Sequence, residues 1–478
     1  MNNIKPQDEC AIVGIYLKKR QLACIAREML IELNHRGQES SGIAIANGKK
    51  IKIAKGKGLA ETLFTNSSSL PMIAHPILAI GHNRYSTSGN LLDIQTFLYK
   101  NITLAHNGNL TNINQLKKQL KPDRLSEQPQ SDSWYALKLI VQSKGKSLTE
   151  KVYQAVSQME GAFSFVISSK DTLIAVRDPW GFRPLVLGKL GNGYVIASES
   201  AAINAIGAKL MRSVLPGEIL TIHKNKTTST IYKQKIQTRC IFELIYIQRP
   251  DSVFDDIVTQ QFRVRCGKIL GRKAPVEADT IIAVPRSGIS AAIGVSEESG
   301  IPYREGLYTN PYRGAIYGHR TFIRPHNRER AASEKYSIIQ HIIREYPRII
   351  LVDDSIVRGV TMKELVKKLR RAGAYEIHLR IASPPLISAC YMGVDFGTEE
   401  LMASDITTIE KRRKFLGVDS LVHLTPADLI EATLGNPING NGRDVFAQYG
   451  FCGSCFTAKY PINIVGAIAK NHKSRKHA

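Results

Sequence analysis

The chain has 478 residues, 43% hydrophobic and 22% charged, enough globular material for two to four domains, which excludes a small binding module or a mainly disordered protein. Sixty-five Lys and Arg against 41 Asp and Glu leave a formal charge of +24, suited to anionic partners such as phosphorylated substrates or nucleic acid. No run of 18 apolar residues exists to span a bilayer, and the opening MNNIKPQDEC lacks a signal-peptide core. Seven irregularly spaced cysteines do not suit a secreted disulfide framework, so a cytoplasmic protein with catalytic or metal-binding cysteines is expected.

Up to about residue 238, short apolar runs at 11–17, 42–46, 102–105, 162–167 and 194–197 are punctuated by Gly, Asn and Ser, as strands require. Helical patterns at 24–34 and 133–143 sit among them, which predicts layered α and β structure with mostly antiparallel sheets. Cys10 opens the run CAIVGIYL and reads either as a small buried hydrophobe or as a nucleophile. HRGQESSG (35–42), GHNRYSTSG (81–89) and HNGNL (106–110) are read as loops, where ligand sites concentrate. RDPWGFRPL (177–185) and ASES (197–200) read as sheet-bounding turns without chemistry.

From about Asp279 the rhythm changes. Runs at 280–284 and 348–352 are bare apolar strands, and Met362, Leu365, Val366, Leu369 and Ala372 recur on one helical face before Gly373. With a strand at 375–382 this is a βαβ unit, which predicts a parallel-sheet α/β domain. Between strand and helix lies LVDDSIVRGVT (351–361), a loop that aims backbone N–H groups and a helix dipole at an anion. Asp353 and Asp354 there hold ribose hydroxyls or Mg²⁺, or form an N-capping turn with Ser355. Cys452 and Cys455 form a CxxC, a metal signal whose partners are not local; zinc, an iron–sulfur cluster and a redox dithiol all stay open on spacing alone. Cys24 and Cys266 lie on predicted helices and read as core, and residues 470–478 as a solvated basic tail.

The wording DDSIVRG, with CIFELIYIQRPDS (240–252), RTFIRP (320–325) and SPP followed by CYMGVD (383–395), resembles the type I phosphoribosyltransferases and, within them, the amidophosphoribosyltransferases. The resemblance covers about residues 10–465. It implies an α+β N-terminal-nucleophile (Ntn) glutaminase domain, layered α/β/β/α, over 10–238, and an α/β type I phosphoribosyltransferase domain over 239–465. Residues 1–9 become a propeptide and 466–478 the tail. The implied reaction makes 5-phosphoribosylamine from glutamine and phosphoribosyl diphosphate, the first committed step of purine synthesis.

The resemblance also assigns roles. Cys10 attacks the glutamine amide with its own freed α-amine as base, since an amine titrating near 8 takes a thiol proton where a peptide nitrogen cannot. Asn107 and Gly108 form the oxyanion hole, Arg84 pairs with the substrate α-carboxylate and Asp132 with its ammonium, as against a surface ion pair. Asp353, Asp354, Ser355, Arg358, Gly359 and Thr361 bind phosphoribosyl diphosphate, and Ser287 joins the two acids at Mg²⁺. Cys240, Cys390, Cys452 and Cys455 carry a structural 4Fe–4S cluster. A homo-oligomer, dimer or tetramer, inhibited by purine nucleotides is implied, with neither nucleic acid nor membrane as partner.

Three places depart from the family pattern. Val360 replaces a hydroxyl residue in the phosphate loop, Arg286 stands where an acid is usual in VPRSG (284–288), and the lid TNPYRGAIYGHRTFI has Thr309 for a Lys and extra residues up to His319. These departures motivate a rival, a diverged paralogue aminating another phosphoribosyl or sugar-phosphate acceptor; the +24 charge motivates a second, a non-catalytic nucleotide-sensing or nucleic-acid-binding protein.

Overall fold

The computed structural model describes residues 10–66, 68–84, 91–122, 128–309, 336–394, 401–438 and 444–464. The proposed propeptide, the lid beyond Thr309, RTFIRP and the basic tail lie outside the described residues.

Successive side chains of a strand point to opposite faces, so a run buried on both faces must lie inside a layered stack. Ala11, Val13 and Ile15 pack on one side of their strand, Ile12 and Tyr16 on the other. That strand is the centre of a seven-stranded antiparallel sheet ordered Lys209–Ser213, Val186–Leu190, Gly193–Ala197, Ala11–Tyr16, Leu78–Arg84, Ser40–Ala46, Ile51–Lys57. A six-stranded antiparallel sheet, Lys226–Ile231, Glu218–His223, Thr172–Arg177, Gly161–Ser168, Ile102–Leu110, Phe97–Tyr99, faces it across Ile12, Ile80, Val166 and Leu220. The helix Leu22–Glu32 covers the larger sheet through Ala26, Met29 and Leu30. The helices Asp132–Gln142 and Leu148–Val156 cover the smaller through Leu137, Ile140 and Val152, packed with Phe163 and Phe165. The expected α/β/β/α layering is therefore present. The helix Leu148–Val156 was not among the expected elements, although its N-cap was visible: the Ser147 hydroxyl accepts the Glu150 N–H at 3.2 Å.

One expectation is corrected. HNGNL, read as a loop, is strand: His106–Leu110 completes the strand Ile102–Leu110, with Asn107 opposite Ser164 and Gly108 opposite Phe163; residues 40–42 and 81–84 of the other two motifs are strand ends, while 35–39 form the expected turn and 85–89 lie outside the described residues. Asn and Gly carry a turn signal by composition, but here the flanking apolar residues have partners on both sides, and pairing overrides it. Cys266 is core as expected, whereas Cys24 is only half-buried against the helix-side core.

In the second half, Thr280–Ala283, Arg348–Asp353, Glu376–Ile381 and Ser420–His423 form a four-stranded parallel sheet in that order. Its two faces bury different cores: Ile350 and Val352 pack with Phe262 and Val295, Ile349 and Leu351 with Leu365 and Leu369. The predicted helical face is the buried one, since Met362, Leu365, Val366, Leu369 and Ala372 are the buried residues of Val360–Ala372, and Gly373 closes it at φ +116°.

The halves meet along RDPWGFRPL. Asp178 Oδ1 accepts the N–H groups of Trp180, Gly181 and Phe182 at 3.0, 2.8 and 3.3 Å, which folds the expected turn. Burial pushes this carboxyl up to about 6 against the pull of Arg177. Arg177 is fully buried and places all five N–H donors: on Arg183 O, Val214 O, Gly181 O and both oxygens of Asp255, the last two at 2.8 Å from the second half. Arg177→Met is expected to strand Asp255 in the junction and lower unfolding stability by about 3–5 kcal/mol, measurable by urea denaturation.

Candidate active site

The edge of the first half that carries Cys10 is set by sheet register. Ala11 pairs with Asn83 and Ser40 with Arg84, so one residue further Cys10 stands opposite Arg84. Arg84 is buried, 7% exposed, and Cys10 is half-buried. From the facing sheet His106 O accepts the Nε2–H of His82 at 3.1 Å, which holds the strand end carrying Asn107 and Gly108 over the end carrying Arg84. Asn107 is fully buried, and neither atom of its amide has a hydrogen-bond partner among the described residues. A buried amide in that condition is costly unless a ligand completes it. Gly108 has φ +141°, and a Cβ there would lie 2.0 Å from Ala162 O, so only glycine fits. Asp132 starts its helix beside this strand, accepting the N–H of Leu110 at 2.9 Å and of Ser133 at 2.8 Å. The five expected glutaminase residues thus converge on one edge of the sandwich.

Beneath that edge lies a group of charges not singled out in the sequence. Arg36, fully buried, reaches the Cys10 carbonyl with Nε at 3.5 Å, Glu199 with Nη1 at 2.6 Å, and Glu243 with Nη1 and Nη2 at 3.0 and 2.7 Å. Burial opposes the Arg36 charge, but Glu243 and Glu199 outweigh it and its pKa is raised. Burial likewise opposes the Glu199 carboxylate, yet His35 and Arg36 hold its pKa well below the usual range. Arg183 donates to Glu243 at 3.4 Å and with Nε to Met392 O at 2.8 Å, while Asn109 Nδ2 donates to Tyr391 O at 2.9 Å. A Cβ on Gly393 would come 3.2 Å from Gly108 Cα, so residues 391–393 of the second half lie directly on the strand end that carries Asn107 and Gly108. The available signal was Glu243 itself, a lone acid inside the apolar run CIFELIYI, which needs a buried partner.

At the carboxyl end of the parallel sheet, Asp353, Asp354 and Ser355 are all buried. Asp353 Oδ1 accepts the Asp354 N–H at 2.9 Å, and the Ser355 hydroxyl donates to Asp354. The N-capping reading is corrected: these bonds turn the chain locally, but the next helix begins only at Val360, with Gly359 as its N-cap and no side-chain cap bond, so the two acids and Ser355 are not spent on a helix end. Gly359 takes φ +77° before the helix Val360–Ala372, and Arg358, Val360 and Thr361 line a pocket with Val284 and Tyr336. The loop of Ser287 and the exposed Arg286 lies alongside: a Cβ on Gly288 would be 2.6 Å from Val352 O and 3.2 Å from Asp353 Cα. Two acids, a hydroxyl and a helix N-terminus form a donor set that fits Mg²⁺ held together with a diphosphate.

The four cysteines come together from three segments. Cys240 and Cys452 are register partners in a short parallel pair, Cys455 O accepts from the N–H of Ile387 and Ser388, and the Met392 N–H points to Cys390 Sγ at 3.3 Å. Burial pushes the Cys240 thiol up to about 12 and raises Cys452 and Cys455, with the neighbouring cysteines adding in the same direction. Such thiols become thiolates when a cationic group is present to share, so the donor chemistry fits a thiolate-bound cluster. Among the described residues no three His, Cys, Asp or Glu side chains close around one metal ion.

An Ntn-type sandwich with a nucleophile edge, joined to a parallel α/β half with a phosphate loop, defines a glutamine amidotransferase coupled to a phosphoribosyl-type transferase half. Residues 82–205 match the glutamine amidotransferase domain family. The chain is 39% identical over 473 residues to the amidophosphoribosyltransferase of Archaeoglobus fulgidus, covering 96% of this chain and 99% of that protein. It is 38% identical to the chloroplastic enzyme of Glycine max, over 96% of this chain and 79% of that one. The solved glutamine phosphoribosylpyrophosphate amidotransferase of Bacillus subtilis, complexed with ADP and GMP, aligns with TM-score 0.85 at 37% identity, covering 95% of this chain and 98% of that chain. The chain belongs to the amidophosphoribosyltransferase family.

The site also carries a pH signature. Burial, then the neighbouring Arg84, pushes the His82 pKa down to about 3, and burial pushes His423, whose Nδ1–H meets Ser383 O at 3.0 Å, down to about 4. On acidification below 6.5 the unfolded chain protonates both imidazoles before the folded one does, which removes stability; Asp178, raised from 3.8 to about 6, binds its proton first in the folded state and opposes this. Between about pH 6 and 4 the three groups leave one net proton on the unfolded side, a loss of about 1.4 kcal/mol per pH unit. Urea midpoints measured from pH 7 to 4.5 should fall accordingly, and a flat profile would mean that these imidazoles titrate normally.

Proposed function

We propose that this chain hydrolyses glutamine at Cys10 and delivers the ammonia to C1 of phosphoribosyl diphosphate, giving 5-phosphoribosylamine, glutamate and diphosphate, the first step of purine synthesis. The observation that carries the reading is the buried, unpartnered Asn107 amide beside Gly108, placed over the strand end that bears Cys10 and Arg84. End-to-end similarity to amidophosphoribosyltransferases supports it.

In this reading removal of residues 1–9 frees the Cys10 α-amine, which takes the thiol proton as sulfur attacks the substrate amide. Arg84 and Asp132 hold the amino-acid end, and Asn107 Nδ2 and the Gly108 N–H stabilise the oxyanion. The adduct then collapses, breaking the amide C–N bond as the Cys10 α-ammonium returns its proton to the departing ammonia, and water releases glutamate from the resulting thioester. In the second half Asp353 and Asp354 hold the ribose hydroxyls, Ser355, Arg358, Gly359 and Thr361 cradle the phosphate, and displacement at C1 expels diphosphate. Mg²⁺, held by Ser287, Asp353 and Asp354, would supply charge neutralisation for the leaving group. Val360 and Arg286 sit at this pocket and beside it, and they remain the motive for a different phosphoribosyl acceptor. Regulation by purine nucleotides, a homo-oligomer and a cytoplasmic location belong to the same reading; the Bacillus subtilis relative was solved with ADP and GMP. Among the described residues no helix is long and apolar enough to cross a membrane.

Amide-¹⁵N glutamine with phosphoribosyl diphosphate should yield labelled phosphoribosylamine; label in free ammonia alone, or in another acceptor, would reject the assignment. Active enzyme should have a mass beginning at Cys10. Asn107→Ala should lower glutamine-dependent kcat about 10²–10³-fold while ammonia-dependent synthesis persists.

Cys240, Cys390, Cys452 and Cys455 are proposed to carry a structural 4Fe–4S cluster, supported by the convergence of the three segments that bear them. Anaerobic preparations should contain iron and labile sulfide, and Cys452→Ser should lower both and the melting temperature together. Stoichiometric zinc without iron would replace the cluster with a different metal.

A further inference from the structure

We infer that Glu243, contributed by the second half, is a positioning residue of the glutaminase site. The inference rests on the function proposed above and goes beyond it, because it makes one half's catalytic edge incomplete without a carboxylate from the other.

Glu243 is fully buried and accepts three N–H donors from the first half, two from Arg36 and one from Arg183. Each arginine leads to a different part of the catalytic edge. Arg36 reaches the carbonyl of Cys10, the residue whose sulfur and α-amine must both be aimed. Arg183 holds Met392 O, and the adjoining Gly393 packs on Gly108. One carboxylate therefore fixes the nucleophile side and the oxyanion side together. Glu199 offers Arg36 a second anion, but it comes from the first half, serves His35, Ser252 and the Arg249 N–H as well, and makes no bond to Arg183.

The far end of the Glu243 element is anchored in the acceptor half. The turn is wide, with the Gln248 N–H donating to Glu243 O five residues back, a form often found at functional sites. Arg263 grips it through Leu244 O at 2.8 Å and Gln248 O at 2.7 Å. The turn is thus held between Arg263 of the second half and the two arginines beneath Cys10. A displacement of about 1 Å at a reacting group costs on the order of 10²-fold in rate, which is the scale on which a positioning carboxylate acts.

The test uses full-length enzyme with Glu243→Gln and Glu243→Asp. Glu243→Gln keeps the shape and removes the charge; glutamine-dependent kcat is expected to fall about 10–100-fold with glutamine KM changed less than about threefold, while ammonia-dependent phosphoribosylamine synthesis stays within about twofold. Glu243→Asp restores the charge and should recover part of the lost kcat. Labelling of Cys10 by a diazoketone analogue of glutamine, followed by intact mass, should slow in the same order. The inference is overturned if both variants keep wild-type glutamine kcat and labelling rate, or if glutamine and ammonia activities fall in the same proportion, as a merely structural role would require. Should Glu243→Gln be insoluble, Glu243→Asp decides by the same criterion. Wild-type enzyme that releases no glutamate at all would instead remove the proposed function itself, a separate outcome read in the control.

Discussion

Two guanidinium groups and two carboxylates, Arg36, Arg183, Glu199 and Glu243, meet with their side chains fully buried, and the arrangement of the two halves depends on their neutralising one another. Ions out of water cost several kcal/mol each, and only close mutual pairing with every remaining donor satisfied offsets that. Here the pairing crosses between halves, so neither can take its observed form with the other moved away. The sandwich supplies three of the four charges together with Cys10, and the second half supplies Glu243.

Seen in this way, the glutaminase edge is one end of a continuous polar column. It runs from the Cys10 carbonyl through Arg36 to Glu243 and along the wide turn to Arg263. Apolar packing surrounds it, with Phe242, Leu244 and Ile245 buried in the core of the second half. Low polarity around the column strengthens its bonds and makes a missing partner expensive, which favours one relative placement of the two sites.

Much of this was legible in the sequence, for identifiable reasons. The helical face from Met362 to Ala372 and the bare strands around it follow from periodicity, which depends on local geometry alone. Cys10, Asn107, Gly108, Arg84 and Asp132 were chosen through family wording, and strand register and one cross-sheet bond bring them to one edge. Reading HNGNL as a loop failed because composition reports what a residue tolerates, whereas its pairing with residues 161–165 is decided by chain some fifty residues away. The ionic group beneath the site was missed for a related reason: its members are separated by up to about 200 residues, and no local pattern couples a charge to a partner that distant. Only Glu243, stranded in an apolar run, advertised itself.

The short parallel pairing of Arg239–Cys240 with Phe451–Cys452 bears on how the molecule is made. At ordinary elongation rates of about 5–20 residues per second, Cys452 leaves the ribosome roughly 10–40 s after Cys240. During that interval the first half is complete in sequence, yet the strand partner of Cys240 does not exist, and the segment laid on Gly108 appears only late in it. The Cys240 thiol waits on a nascent chain, open to oxidants and to wrong partners, until the C-terminal segment arrives to cover it. The speed of synthesis and the redox state of the compartment therefore bear on the yield of native molecules, independently of how stable the finished fold is.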